Sequence, residues 1–322
     1  MNLLILNQLG TPDSPEAEDV GRYLNEFLMD ENIISIPRPI RDIVVKLLIV
    51  PRRKHSSSEK YKKVWTSKGS PLALNTFSLE RKIKDLIPHD WYVVTGMRYG
   101  SPSLESVLKT NDLSKFEKIY FLPLYPQFAQ ATTGSAAQQF LNIIKKIESV
   151  DAGIKILAPF YSENWYIAAQ SELIRPYLST QSKLLFSYHG IPISQEKKGR
   201  FSYLAQCRAT SNKIANYLKL PEENVVTSFQ SRVGPLKWLQ PSTEEAVKNL
   251  LAEGVKELVV ACPSFVADCL ETIEEIGMEL QEQFISGGGR SFTLVPCLND
   301  DARFAEGIVN YATERPEFIE FD

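Results

Sequence analysis

Histidine is scarce in this chain of 322 residues, with His55, His89 and His189 as the full set. Cysteine is nearly as rare. Cys207, Cys262, Cys269 and Cys297 are scattered without a Cys-x-x-Cys pair, which argues against structural zinc, and a chain of this length needs no disulfide framework. No stretch approaches the roughly 18 apolar residues of a spanning helix. The opening Met-Asn-Leu-Leu-Ile-Leu-Asn has no basic region and turns polar at once, so no signal peptide is expected. No G-x-G-x-x-G follows the first strand candidate of either half. Gly287-Gly-Gly289 lies between a helical pattern and a strand, the wrong order for cradling a pyrophosphate at a helix N-terminus. Nicotinamide and nucleotide cofactors thereby lose their support. A formal charge of −3 argues against nucleic acid as the main partner. The remaining composition, 43% hydrophobic and 23% charged, is that of an ordinary soluble globular protein, expected to be cytoplasmic and reduced.

What is present is alternation. Short apolar runs separated by longer helical patterns recur from end to end, as in a parallel sheet with crossover helices. The strand candidates are Asn2–Leu6, Trp91–Met97, Lys118–Leu122 and Lys155–Leu157, then Lys183–Tyr188, Val225–Ser228, Glu257–Ala261 and Ser291–Val295. Four and four predict an α/β protein of two Rossmann-like domains, residues 1–155 and 156–300, each with a four-stranded parallel sheet. Residues 301–322, including a helical pattern over Asp301–Thr313, are expected to pack back on the first domain. Residues 36–54 form a proline-bounded, basic-flanked stretch in which Ile40, Ile43, Val44, Leu47 and Leu48 share a helical face. A core-packing helix is the first expectation there. An apolar lip toward a membrane surface or a large apolar ligand is the alternative.

In open α/β sheets ligands bind beyond the carboxyl ends of strands, and five of the eight candidate strands end in chemistry. His189 closes one apolar run, whereas His55 and His89 lie in polar surroundings and read as surface. Glu271 comes one turn into the helix that follows Glu257–Ala261. Glu271, Glu275 and Glu279, four apart, form a carboxylate row, or alternatively a solvated face. Glu274 and Glu282 fall off that row and read as surface. Arg98 and Tyr99 follow the second strand, and Gln230-Ser-Arg232 with Trp238 follows the sixth. Thr132, Thr133 and Ser135 offer hydroxyls at a helix start suited to an anion, or simply a well-capped helix.

These segments resemble the ferrochelatases, which insert ferrous iron into a porphyrin. The similarity runs nearly the full length: Leu9-Gly-Thr-Pro12 with Tyr23-Leu-Asn-Glu-Phe-Leu28, Trp65 with Gly69-Ser-Pro-Leu72, Met97-Arg-Tyr99, and Pro123-Leu-Tyr-Pro-Gln127 with Thr132-Thr-Gly-Ser135. It continues through Ser187-Tyr-His-Gly190, Tyr203 with Gln206-Cys207, Gln230-Ser-Arg-Val-Gly-Pro235 with Trp238, and Asp268 to Glu275. The resemblance implies a porphyrin cleft between two domains, with residues 36–54 as a membrane-facing lip. It makes His189 and Glu271 the catalytic pair and puts His189, Glu271, Glu275 and Glu279 on the metal path, along a helix of π character. Arg98, Tyr99, Tyr125 and Trp238 become substrate contacts.

The chemistry suits those residue types. Metallation removes two pyrrole protons while Fe²⁺ is delivered, and an imidazole titrating near neutrality can accept a proton. Imidazole and carboxylate oxygen hold Fe²⁺ well enough to deliver it yet release it to a macrocycle. Protoporphyrin IX is the expected substrate. Coproporphyrin, another divalent metal, or a non-catalytic tetrapyrrole- or metal-binding protein are the alternatives. No permanent cofactor is expected. Where some ferrochelatases hold a [2Fe–2S] cluster, the internal ligand position here is Gln130 and no cysteine follows Cys297; four thiolates are normally required. Cys269 stands where many relatives have histidine, and reads as packing. Peripheral contact with the inner membrane fits the apolar substrate and product.

Overall fold

The computed structural model describes residues 1–147, 150–232, 234 and 236–321. Val233 and Pro235 of the Gln230–Pro235 segment thus lie outside the described residues. Eight strands occur among the residues described: β1 (Asn2–Gln8), β2 (Trp91–Met97), β3 (Lys118–Pro123), β4 (Gly153–Ile156), β5 (Lys183–His189), β6 (Val225–Gln230), β7 (Glu257–Ala261) and β8 (Ser291–Leu294). Each forms where an apolar run predicts it, with ends displaced by at most a few residues. They make two four-stranded sheets, ordered β2-β1-β3-β4 and β6-β5-β7-β8, with every strand pair parallel.

The apolar runs are continuous because both faces of a parallel sheet are covered by helices. Leu3, Leu4, Ile5 and Leu6 on β1 are buried, as are Leu184, Leu185, Phe186 and Tyr188 on β5. Each such side chain contributes roughly 1.5–3 kcal/mol by leaving water. The shared order also fixes where ligands go. In each sheet the first strand of the set has neighbours on both sides, so connections diverge from its carboxyl end, the switch point where α/β sheets bind ligands. His189 is the last residue of β5.

The chain forms two compact units. One comprises Met1–Leu124, Gln130–Ala158 and Ala305–Asp322; the other comprises Tyr125–Ala129 and Pro159–Phe304. In the first unit, the segment near Phe318 runs antiparallel beside the end of β4. Leu157 bridges Phe318, the Ala158 N–H donates to the Glu317 carbonyl at 2.8 Å, and the Ile319 N–H donates to the Ile156 carbonyl at 3.0 Å. In the second unit, Phe128 N–H donates to Gln206 Oε1 at 2.7 Å and Gln127 Nε2 to Thr210 Oγ1 at 3.1 Å, which ties Tyr125–Ala129 into that unit.

The stretch 36–54 departs from the core-packing expectation. It runs as helix Arg38–Ile43, a π-helical segment Val44–Ile49 and helix Val50–Val64. Ile40, Ile43, Leu47 and Leu48 are 54, 57, 67 and 45% exposed. The residue that enters the core is Val45, packed with Val20, Leu24 and Leu28 and flanked by Ile49 and Val50. Helix Ala17–Leu28 covers only one side of this stretch, the Val45 side. Among the described residues no helix is long and apolar enough to cross a membrane.

Candidate active site

At the end of β5, every polar backbone group of His189 is engaged. Its N–H donates to Ser264 Oγ at 2.9 Å and its carbonyl accepts from the Tyr203 hydroxyl at 2.9 Å. Ring Nδ1 lies 2.7 Å from the Gly190 carbonyl. A carbonyl only accepts, so Nδ1 carries a proton and the neutral ring keeps its lone pair on Nε2. Phe265 lies against the ring, centroid to centroid 6.1 Å. With its backbone pinned by Ser264 and Tyr203 and its half-buried ring set between the Gly190 carbonyl and Phe265, the residue presents one basic nitrogen. His55 and His89 are exposed.

Gly190 is needed beside it. A Cβ there would lie 2.7 Å from the Gln230 carbonyl oxygen and 3.3 Å from the Trp238 ring. Trp238 pairs with Pro192 in an isolated bridge, and its buried indole N–H has no acceptor among the described residues. That donor suits a ligand group.

Glu271 opens a π-helix, Glu271–Leu280. Its hydrogen bonds span five residues, and the wider turn keeps side chains four apart nearly in line. Glu271, Glu275 and Glu279 therefore stay in a row, each half-buried. Burial pushes the Glu275 carboxyl above the usual range. Hydrogen bonds from Ser231 and the field of His189 pull it down, and Glu271 pushes it up. His189, Glu271 and Glu275 thus share one electrostatic neighbourhood. Glu274 corrects the surface expectation, being 1% exposed: it is buried along with Thr272, Ile276 and Leu280 of the same helix. Glu282 is exposed as expected.

Two residues to which the sequence reading gave no role of their own, Asp268 and Gln230, build this corner. Asp268 accepts from the Cys297 N–H at 3.1 Å, Thr272 Oγ1 at 3.3 Å and Asn299 Nδ2 at 2.7 Å, anchoring the approach to the π-helix. Gln230, ending β6, donates Nε2 to the Glu271 carbonyl at 2.8 Å while its Oε1 accepts from Ser187 at 2.7 Å. The signals in the sequence for Gln230 and its neighbour Ser231 were a polar pair closing a strand at the switch-point edge and their place in the ferrochelatase-like segment Gln230–Pro235.

All four cysteines are buried and unbonded to one another. Burial raises each thiol well above its ordinary value, and the Cys269 thiol is pushed further by Glu271. A thiol so placed stays protonated and packs as a small apolar group. Among the described residues no group of three or more His, Cys, Asp or Glu side chains could hold a metal ion.

In the first unit the residues after β2 form a second polar cluster. Arg98 donates Nε to Ser135 Oγ at 2.8 Å and Nη2 to Asp30 at 2.5 Å. The Tyr99 hydroxyl donates to the same Asp30 oxygen at 2.7 Å, and Ser135 donates to it too. Burial would raise the Asp30 carboxyl, but the hydrogen bonds of Ser135, Tyr99 and Asn32 and the charge of Arg98 outweigh it and hold it below the usual range. Burial raises the Tyr99 phenol. Gly10 makes the cluster compact: at φ +102° its missing Cβ would fall 1.7 Å from the Tyr99 carbonyl oxygen. Of the hydroxyls proposed for an anion, Ser135 is thus committed to Asp30. Arg98 Nη1 takes no part in these bonds. The sequence-derived site residues fall into two sets: Arg98 and Tyr99 in the first unit, and Tyr125, His189, Trp238, Glu271, Glu275 and Glu279 in the second.

Two parallel sheets of one strand order, with a histidine at one switch point, define the chelatase class of fold. The solved structure of SirB from Bacillus subtilis with Fe³⁺ matches with a TM-score of 0.59, covering 99% of both chains at 10% identity. Sequence goes further. The ferrochelatase family model matches residues 2–315. Proteins named ferrochelatase from Legionella pneumophila strain Lens and Bdellovibrio bacteriovorus are 39% and 37% identical to this chain. The first match covers 97% of this chain and 98% of its relative, the second 95% and 97%. The chain belongs to the ferrochelatase family, metal-insertion enzymes of the lyase class that place iron in a porphyrin during haem synthesis.

Proposed function

We propose that the chain inserts Fe²⁺ into protoporphyrin IX, with His189 as the proton acceptor and Glu271 as its acidic partner. The observation that carries this reading is the Nδ1 contact to the Gly190 carbonyl at 2.7 Å. It leaves Nε2 as the free base, and protonation there yields an imidazolium whose other N–H is already bonded. In the balanced reaction two pyrrole N–H bonds break and four Fe–N contacts form. One proton goes to His189 Nε2; the other passes to the carboxylates. Glu271, Glu275 and Glu279 lead iron inward as weak oxygen ligands that surrender it to the macrocycle. Within the second unit, Trp238 and Tyr125 are the side chains that would meet the macrocycle. The exposed apolar lip of Ile40, Ile43, Leu47 and Leu48 favours the less polar protoporphyrin over coproporphyrin.

Purified protein mixed anaerobically with Fe²⁺ should quench protoporphyrin IX fluorescence faster than buffer does, and faster than it quenches coproporphyrin III. Faster quenching of coproporphyrin III reverses the substrate assignment, and no acceleration with either defeats the reading. We also propose that no [2Fe–2S] cluster is bound, since the four thiols are buried and protonated. The purified protein should lack cluster absorption; about two irons and two sulfides per chain would refute this. The lip should rest on the cytoplasmic face of the inner membrane. Flotation with anionic vesicles should carry the protein, and Leu47→Asp should abolish that flotation if the lip is the contact.

A further inference from the structure

Ser231, just beyond β6, has φ +62°. A non-glycine residue in the left-handed region marks a constraint imposed by its surroundings. What it gains is visible at Glu275. The Ser231 N–H donates to Glu275 Oε1 at 2.6 Å and its hydroxyl donates to Oε2 at 2.6 Å. One residue therefore grips both oxygens of a carboxylate 44 positions away. The neighbouring Gln230 reaches the same group more loosely, with Nε2 3.5 Å from Oε2, while binding the Glu271 carbonyl. The end of β6 holds two consecutive members of the carboxylate row, one by its side chain and one by its backbone.

We infer that Ser231 is a positioning residue for iron delivery, fixing the carboxylate plane of Glu275 so that Oε1, which accepts only the Ser231 N–H, keeps a lone pair for the metal while Oε2 is held by the Ser231 hydroxyl and, more loosely, by Gln230. A carboxylate gripped on both oxygens cannot swing to chelate iron, so it passes the ion on. This inference rests on the proposed iron path through Glu275. Extended backbone at position 231 could not aim the N–H and the hydroxyl at one carboxylate together; the left-handed turn does so.

The test measures initial rates anaerobically against Fe²⁺ concentration at saturating porphyrin. Ser231→Ala removes the hydroxyl. Ser231→Gly removes it and also relieves the backbone, so it guards against a folding failure of the alanine variant. Both should raise the KM for iron about tenfold, the loss of one hydrogen bond to a charged acceptor, with kcat and the porphyrin KM little changed. Glu275→Ala should raise the iron KM at least as far, and adding Ser231→Ala to it should change nothing more. An elevated iron KM in Glu275→Ala but not in either Ser231 variant overturns the positioning role and leaves the iron path standing. An unchanged iron KM in Glu275→Ala removes the iron path through Glu275, and the inference falls with it. A fall in kcat alone in the Ser231 variants also overturns it, since that pattern belongs to the chemical step.

Discussion

His189→Ala should lose metal insertion by about 10²–10⁴-fold, the usual contribution of a positioned acid–base group, while still binding porphyrin. The fold should survive because what anchors position 189 is backbone. The N–H to Ser264 and the carbonyl from Tyr203 persist with an alanine side chain, and β5 keeps its buried residues on both sides. What disappears is the ring with its free Nε2. Fluorescence titration gives the porphyrin Kd, and anaerobic stopped-flow gives the rate. A rate within tenfold of the parent would remove His189 from the proton transfer. Added imidazole should restore part of the lost rate if proton acceptance is the deficit. It should restore none if the ring acts only by shaping the site.

The second large effect lies in the first unit. Arg98→Met should cost about 3–5 kcal/mol, because it strands the Asp30 carboxylate without its charge partner. The pair is buried, with side chains 14 and 4% exposed. Asp30→Leu should cost a similar amount by leaving the guanidinium unpaired. The double variant should recover much of the loss, since apolar groups of like volume replace a buried ion pair at small cost. Urea midpoints measure all three; strictly additive losses would show that the two residues are not coupled. The pH dependence follows from the lowered Asp30 carboxyl. Its native value lies below its unfolded one, so the contribution is complete above about pH 4 and is lost as pH falls through the lower native value. The gap between parent and Asp30→Leu should therefore narrow in acid.

Much of the architecture was legible in the chain because buried parallel strands read as unbroken apolar runs, as in β1 and β5, while the edge strands β4, β6 and β8 carry polar residues and were legible from their place in the alternation. His189 was legible for a related reason: a lone imidazole closing such a run sits at a sheet edge by construction. Helical faces were harder. The apolar stripe on residues 36–54 is real, but periodicity does not say which side meets protein, and Val45 rather than Ile40 or Leu47 goes inside. Glu274 was misplaced because a spacing of four picks out one row of carboxylates and says nothing of what packs against the rest of the helix. Ser231 and Asp30 were invisible as actors for another reason. Their partners lie 44 to 105 positions away, and local pattern carries no information about such pairs.

The way the first unit is assembled from the chain has a consequence during synthesis. Its first sheet is complete once residue 156 has been made, yet the segment from Ala305 onward belongs to the same unit. Translation at 5–20 residues per second puts that closing segment roughly ten to thirty seconds later. Through that interval Leu157 lacks its Phe318 neighbour, and the Ala158 and Ile156 backbone groups lack theirs. The nascent chain thus leaves the ribosome with an open edge beside β4 while the second unit is being made. Chaperone demand in the cell should concentrate there, and truncations before residue 317 should fail by aggregating rather than by losing a local contact.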